Sequence, residues 1–223
     1  MHNEIRIFFT NTKNVSTEVQ QRIFNSLPIA QKNKAIAIGN QKRQKEFIVG
    51  RALLVQALYS ERRQQNLPLI LEKDFSAPIV HGLDDFYVSI SHSKDLICCV
   101  LHTSPIGVDI EYKKNVKNIM DKSDFFMSHE ELIKLHEMAC ESQKESYFYE
   151  VWCAKEAFFK SFDHITQTNT SLKSIQLSQL LQSNEYILFD KEINNYHLSM
   201  VYQDILHSVS LISVDLECYL PNS

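Results

Sequence analysis

Gly107-Val108-Asp109-Ile110-Glu111 is the stretch around which this chain organises itself. In an extended strand successive side chains alternate between faces, so Ile106, Val108 and Ile110 point one way and Gly107, Asp109 and Glu111 the other. A bare glycine beside two carboxylates leaves room on that face for a large group that needs negative charge. A hydrated divalent cation carrying phosphate oxygens fits, because Mg²⁺ prefers one or two carboxylates together with substrate phosphates. The same five residues also describe an amphipathic strand whose acidic face lies in water.

Working outward, Phe86 to Ser91 alternates in the same way and runs into Ser91-His92-Ser93, with a second strand expected over Leu96–His102. His92, flanked by two hydroxyls at a strand end, suits a phosphate contact or a hairpin-end hydrogen bond. Glu4–Thr10 reads as a strand and Thr17–Leu27 as a helix stopped by Pro28. Gln31 to Arg63 is helical and basic, with Lys32, Lys34, Lys42, Arg43, Lys45 and Arg51, and Gly50 within it marks an expected close packing contact. Ser128 and Glu131 have capping-box spacing, which starts a helix expected to reach about Cys140. Strands are expected over Tyr186–Phe189, His197–Tyr202 and Ser208–Tyr219. Helices and strands do not alternate strictly, so the class is α+β.

A helical wheel over Gln143–Phe162 gathers Phe148, Val151, Trp152, Ala154, Phe158, Phe159 and Phe162 into one apolar arc. Glu156 and Lys160 lie one turn apart at its edge. Lys155 falls inside the arc, where it must snorkel outward or find a carboxylate. Read as surface chemistry, Glu156 and Lys160 are an ordinary i,i+4 pair. Read with the strand, they add a third carboxylate and a phosphate-binding cation.

The chain has 223 residues, 44% of them hydrophobic and 22% charged, which suits one domain or two tightly joined halves. No apolar run approaches a membrane span, and the first residues lack the layout of a signal peptide. Five cysteines without a C-x-x-C pair argue against a disulfide framework or a zinc site. These features point to a cytoplasmic protein, and a net charge of −4 gives no reason to expect a nucleic-acid partner.

Three segments occur in order: Ser91-His92-Ser93, Gly107-Val108-Asp109-Ile110-Glu111 and Trp152-Cys153-Ala154-Lys155-Glu156-Ala157-Phe158-Phe159-Lys160. Together they resemble the motif set of the 4′-phosphopantetheinyl transferases of the surfactin-synthetase-activating (Sfp) type. Phe125-Phe126-Met127-Ser128 with Glu131 looks like the family's F-F-S-x-x-E segment, and Gly50-Arg51 with Leu53-Leu54 like its N-terminal helix signature. The resemblance implies an α+β fold of two similar α/β-layered halves related by a pseudo-two-fold axis. The halves would be 1–103, on the coenzyme A phosphate side, and 104–223, with the metal and catalytic helix, and coenzyme A would bind in the cleft between them.

The implied reaction moves the phosphopantetheine arm of coenzyme A to a serine of an apo acyl or peptidyl carrier protein. It releases adenosine 3′,5′-bisphosphate and uses Mg²⁺ (or Mn²⁺). By the same resemblance Asp109, Glu111 and Glu156 are the metal carboxylates, with Glu156 or a water it orients as the base for the serine. Lys160 and His92 become phosphate contacts, and Ser91 lies beside the nucleotide. The family's G-K-P is Ser76-Ala77-Pro78 here, so that lysine is missing, and Cys153 replaces a Ser or Thr. Lys32, Lys34, Arg43 or Lys45 would compensate, at least one of them at the 3′-phosphate, with Lys34 the first choice; Lys34 and Lys45 are the two taken as coenzyme A contacts. Lys155 is expected to organise the carboxylates. Lys113, Lys114 and Lys117, with Phe125–Met127, are expected to dock the carrier, and the chain to be a monomer without a membrane partner. The residues also leave open a metal-dependent phosphohydrolase and a non-catalytic binding scaffold.

Overall fold

The computed structural model describes residues 4–62, 70–71, 79–80, 86–114, 118–203 and 207–217. It divides into two compact units, Met1–Thr103 with His207–Ser223, and Ser104–Leu206.

The first unit opens with strand β1 (Glu4–Asn11), followed by helices α1 (Thr17–Ser26), α2 (Ile29–Ala37) and α3 (Gln41–Arg62). The Ser16 side chain accepts from the Val19 amide and starts α1, and Pro28 follows its end. The basic segment read as helical from Gln31 is two helices, interrupted over 38–40, where Gly39 stands in open space. A short ribbon of β2 (Ile70–Leu71) and β3 (Ile79–Val80) precedes the hairpin of β4 (Tyr87–Ser93) and β5 (Leu96–His102). The main sheet has the order β4-β5-β1-β9, where β9 is Ser208–Ser213. Sequence order places β9 in the expected half 104–223, yet it pairs in parallel with β1. Helix α3 covers this sheet, burying Ile48, Val49, Leu53, Leu54 and Ala57 against Phe8, Ile97, Cys99 and Leu101.

Gly50 does not mark the expected close approach. A Cβ there would meet Ile97 Cγ2 at 3.8 Å and Ile90 Cγ2 at 4.0 Å, which is ordinary van der Waals contact.

The second unit is a three-stranded antiparallel sheet, order β6-β8-β7, formed by β6 (Ile106–Tyr112), β7 (Tyr186–Ile193) and β8 (Tyr196–Gln203). Between β6 and β7 come α4 (Ile119–Ser123), α5 (His129–His136), α6 (Glu141–Ser161), α7 (His164–Asn169) and α8 (Leu177–Gln182). The capping box at the start of α5 is present as read: the Ser128 hydroxyl accepts from the Glu131 amide, and the Glu131 carboxylate from the Ser128 amide. The helix ends at His136, earlier than its expected limit. Helix α6 lies on β6 and β8, and its apolar side packs Phe148 and Val151 with Phe126 and Leu135, and Ala157 and Phe158 with Ile175 and Val201. No helix among the described residues is long and apolar enough to cross a membrane.

Candidate active site

Strand β6 is an edge strand, and the face bearing Gly107, Asp109 and Glu111 is the one α6 covers. The contact is backbone on backbone. A Cβ on residue 107 would stand 1.9 Å from the Ala157 carbonyl oxygen and 2.8 Å from the Ser161 nitrogen. The space that the glycine leaves is therefore filled by the helix, and is not the ligand space its sequence suggests. Its consequence is positional: the last turns of α6 are held over the two acidic residues that follow Gly107 in the strand.

Lys160 Nζ lies 2.7 Å from Asp109 Oδ1 and donates to the Val108 carbonyl at 3.3 Å. Asp109 is buried and Glu111 partly so. The i,i+4 reading of Glu156 with Lys160 thus gives way to a helix-to-strand ion pair, although Lys160 still acts on Glu156 through space. Burial pushes the Glu156 carboxyl above the usual range, Lys160 opposes this, and the charges of Asp109 and Glu111 add to it. Cys153, one turn earlier, is fully buried. Burial first, then the charges of Asp109 and Glu111, hold its thiol well above the ordinary value. The thiol also contacts the His197 carbonyl at 3.7 Å. Three carboxylates and one ammonium are thereby brought into one electrostatic group.

These donors are hard oxygens of the kind Mg²⁺ takes, and a cation would relieve the repulsion that Asp109 and Glu111 exert on Glu156. Among the described residues no three His, Cys, Asp or Glu side chains are already arranged as a metal cluster. The Lys160 ammonium holds one of the oxygens in question. The donor set fits a divalent cation in its chemistry.

Lys155 takes a different part from the one its sequence suggested. Its ammonium is fully buried, 2.7 Å from Glu131 Oε2, and donates to the carbonyls of Phe126 at 2.9 Å and Leu172 at 3.2 Å. It pins the Phe125–Ser128 segment and the 172–174 turn to α6, and its carboxylate partner is the capping residue of α5 rather than Asp109, Glu111 or Glu156. Burial pulls its pKa down and Glu131 opposes that. The apolar position of Lys155 signalled a hidden partner; only the fold shows which.

The remaining predicted residues belong to the first unit. Ser91 and His92 lie on β4, Lys34 on α2 and Lys45 on α3. His92 Nδ1 is 3.4 Å from the carboxylate of buried Glu46, which also meets Lys42 at 3.5 Å; sequence reading did not single out Glu46. Lys45 donates to the Val15 carbonyl at 2.7 Å. Lys34 Nζ lies 6.0 Å from the centre of the Phe47 ring, on whose face Arg51 also stacks at 4.5 Å. Lys113 pairs with Glu192, while Lys117 and Ser76–Pro78 lie outside the described residues.

Residues 105–212 match the sequence model of the 4′-phosphopantetheinyl transferase superfamily, a stretch that holds Asp109, Glu111, Glu131, Lys155, Glu156 and Lys160. That stretch of the chain is similar to this superfamily. It is 34% identical over 88 residues to a 4′-phosphopantetheinyl transferase of Bacillus subtilis, covering 40% of this chain and 38% of the relative. It is 32% identical over 88 residues to the 4′-phosphopantetheinyl transferase Sfp of Bacillus subtilis strain 168, with the same 40% and 38% coverage. With the 4′-phosphopantetheinyl transferase gsp of Aneurinibacillus migulanus the identity is 29% over 152 residues, or 66% of this chain and 62% of the relative. The chain thus spans less than two thirds of each of these relatives. The mixed α+β architecture is compatible with the expected fold, and Ser91, His92, Lys34 and Lys45 lie outside the matched stretch.

Proposed function

We propose that this chain transfers the 4′-phosphopantetheine arm of coenzyme A to a serine hydroxyl of an apo acyl or peptidyl carrier protein, releasing adenosine 3′,5′-bisphosphate. The observation that carries this reading is the group formed by Asp109, Glu111, Glu156 and Lys160 where α6 meets β6, within the superfamily match.

In the reaction the serine oxygen bonds to the phosphorus of the phosphopantetheine arm as the bond to the adenosine 5′-phosphate breaks. The leaving group keeps that bond's electron pair, and the serine proton must go to a base. A serine hydroxyl is a poor nucleophile until its proton is taken. Glu156, whose carboxyl already holds protons more firmly than usual, is the acceptor, directly or through a water it orients. Asp109, Glu111 and Glu156 would hold Mg²⁺ (Mn²⁺ serving as well), and the bound ion would neutralise pyrophosphate charge. Lys160 is the protein's own cation at this place and supplies charge to the phosphates. Catalysis by positioning and charge suits phosphoryl-type transfer, which asks little covalent chemistry of the enzyme.

In this reading Ser91 and His92 contact the nucleotide and phosphates of coenzyme A. Lys34 is assigned to the 3′-phosphate ahead of Lys45, whose ammonium bonds the Val15 carbonyl. Residues 1–103 and 104–223 would be two similar halves, the first with the phosphate contacts and the second with the cation and catalytic helix. The chain would work as a cytoplasmic monomer. Phe125, exposed at 82% at the start of the segment that Lys155 pins, is the apolar docking residue for the carrier. Chromatography of coenzyme A incubated with Mg²⁺ and this protein tests the reading. Adenosine 3′,5′-bisphosphate should form only when an apo carrier is present. Its release without a carrier would mark a hydrolase, and no release with coenzyme A still bound would mark a scaffold.

A further inference from the structure

Strand β8 is the middle strand of its sheet, and every residue from Tyr196 to Tyr202 is buried. Most are hydrocarbon or aromatic, as two covered faces require. Two are not: His197, 6% exposed, and Ser199, fully buried. Their register is specific. His197 stands opposite Glu111 on one side and Glu192 on the other, and Ser199 opposite Asp109 and Asp190. Directly opposite residues of antiparallel strands share a face with their Cβ atoms about 4.5–5.5 Å apart. The acidic face of β6 therefore continues across the sheet as two rows, Asp109–Ser199–Asp190 and Glu111–His197–Glu192.

The rows are tied together. Asp190 Oδ1 accepts from the Ser199 hydroxyl and lies 3.4 Å from His197 Nε2. Lys113 closes the outer row on Glu192. Nε2 is turned to Asp190, and the other ring nitrogen, Nδ1, is buried without a hydrogen-bond partner. An unpartnered ring nitrogen in the interior costs free energy that a leucine at this position would avoid. The strand supplies apolar residues at its other interior positions, so packing alone does not account for an imidazole here.

We propose that His197, held by Asp190 and flanked by Ser199, is a positioning residue for the carboxylate site: it supports Glu111 and Asp109 from the neighbouring strand and sets how firmly they hold a divalent cation. Residues that orient metal ligands from behind change metal affinity when replaced, typically by 10–100-fold. This inference rests on the reading of Asp109, Glu111 and Glu156 as cation ligands, and the test separates the two.

The experiment is Mn²⁺ titration of the full-length protein without coenzyme A, read by the electron paramagnetic resonance of free Mn²⁺, on wild type, His197→Leu and Asp190→Asn. Circular dichroism and thermal melting are recorded on each. His197→Leu should weaken Mn²⁺ binding by about 10-fold or more. Asp190→Asn, isosteric and at a part-exposed side chain, should weaken it in the same direction with its melting temperature unchanged. Asp190→Asn decides the matter if His197→Leu fails to fold. Mn²⁺ bound by wild type and, within twofold, by each folded variant overturns the support role alone. No Mn²⁺ bound by wild type overturns the cation site, and this inference with it.

Discussion

Helices α3 and α6 are nearly the same length and each lies along a sheet, but they meet their strands differently. At Gly50 of α3 the neighbouring methyl groups stand 3.8 and 4.0 Å from where a Cβ would sit, so the seam is hydrocarbon and a methyl would make ordinary contact in it. At Gly107 under α6 the corresponding position is 1.9 Å from a helix carbonyl. The first seam is filled by side chains that could be exchanged for others of similar volume. The second is a backbone contact, and it sets Glu156 and Lys160 of the helix over Asp109 of the strand. One glycine is incidental to its seam. The other makes the seam, and the candidate chemistry stands on that one.

Four variants test this contrast. The largest effect is expected from Lys155→Met, which leaves Glu131 buried without its cation. Removing one partner of a buried pair costs about 3–5 kcal/mol, readable as a fall in urea midpoint. A loss under about 1 kcal/mol, the scale of an exposed ion pair, would show that α6 is not held by charge. Next is Gly107→Ala. Overpacking costs about 1–3 kcal/mol and occasionally more, and backbone atoms are the least able to yield, so chemical denaturation should place it at the top of that range. An alanine tolerated there without loss would break the comparison at its centre.

A pH effect follows in size. Glu156 is held above the ordinary glutamate value of 4.5 in the folded chain. Between that value and its raised pKa the folded state keeps a proton that the unfolded state has released. The stability of the metal-free protein therefore falls as pH rises through this window. Glu156→Gln removes this dependence. Its melting temperature relative to wild type should climb from about pH 4.5 upward and then level off, and a flat difference would remove Glu156 from the group. The smallest effect is a gain: Gly50→Ala should add about 0.5–1 kcal/mol, the helix-interior cost of glycine. A loss there would mean that the α3 seam is as tight as the other.

Period-2 alternation made the two faces of β6 legible, and the capping box at Ser128 and the amphipathic run of α6 were legible for the same reason: each is local. What covers the acidic face was not. Alternation says that Gly107, Asp109 and Glu111 point together, but only the packing shows a helix backbone in the space beside the glycine. The partner of Lys155 was hidden because Glu131 looked fully explained as a cap, and one carboxylate serves both roles. The parallel pairing of β9 with β1 joins the two ends of the chain, where no neighbour in sequence signals it. His197 and Ser199 carried a faint signal, two polar residues alternating in an apolar strand, which gains meaning only once the register sets them opposite Glu111 and Asp109.

The most direct measurement is the intact mass of an apo carrier protein after incubation with coenzyme A, Mg²⁺ and either wild-type protein or Glu156→Gln. With wild type the carrier should gain the mass of one phosphopantetheine arm. With Glu156→Gln the rate should fall by about 10²–10⁴, the usual contribution of a positioned general base. A carrier modified equally fast by both proteins would contradict the placing of the chemistry where α6 meets β6.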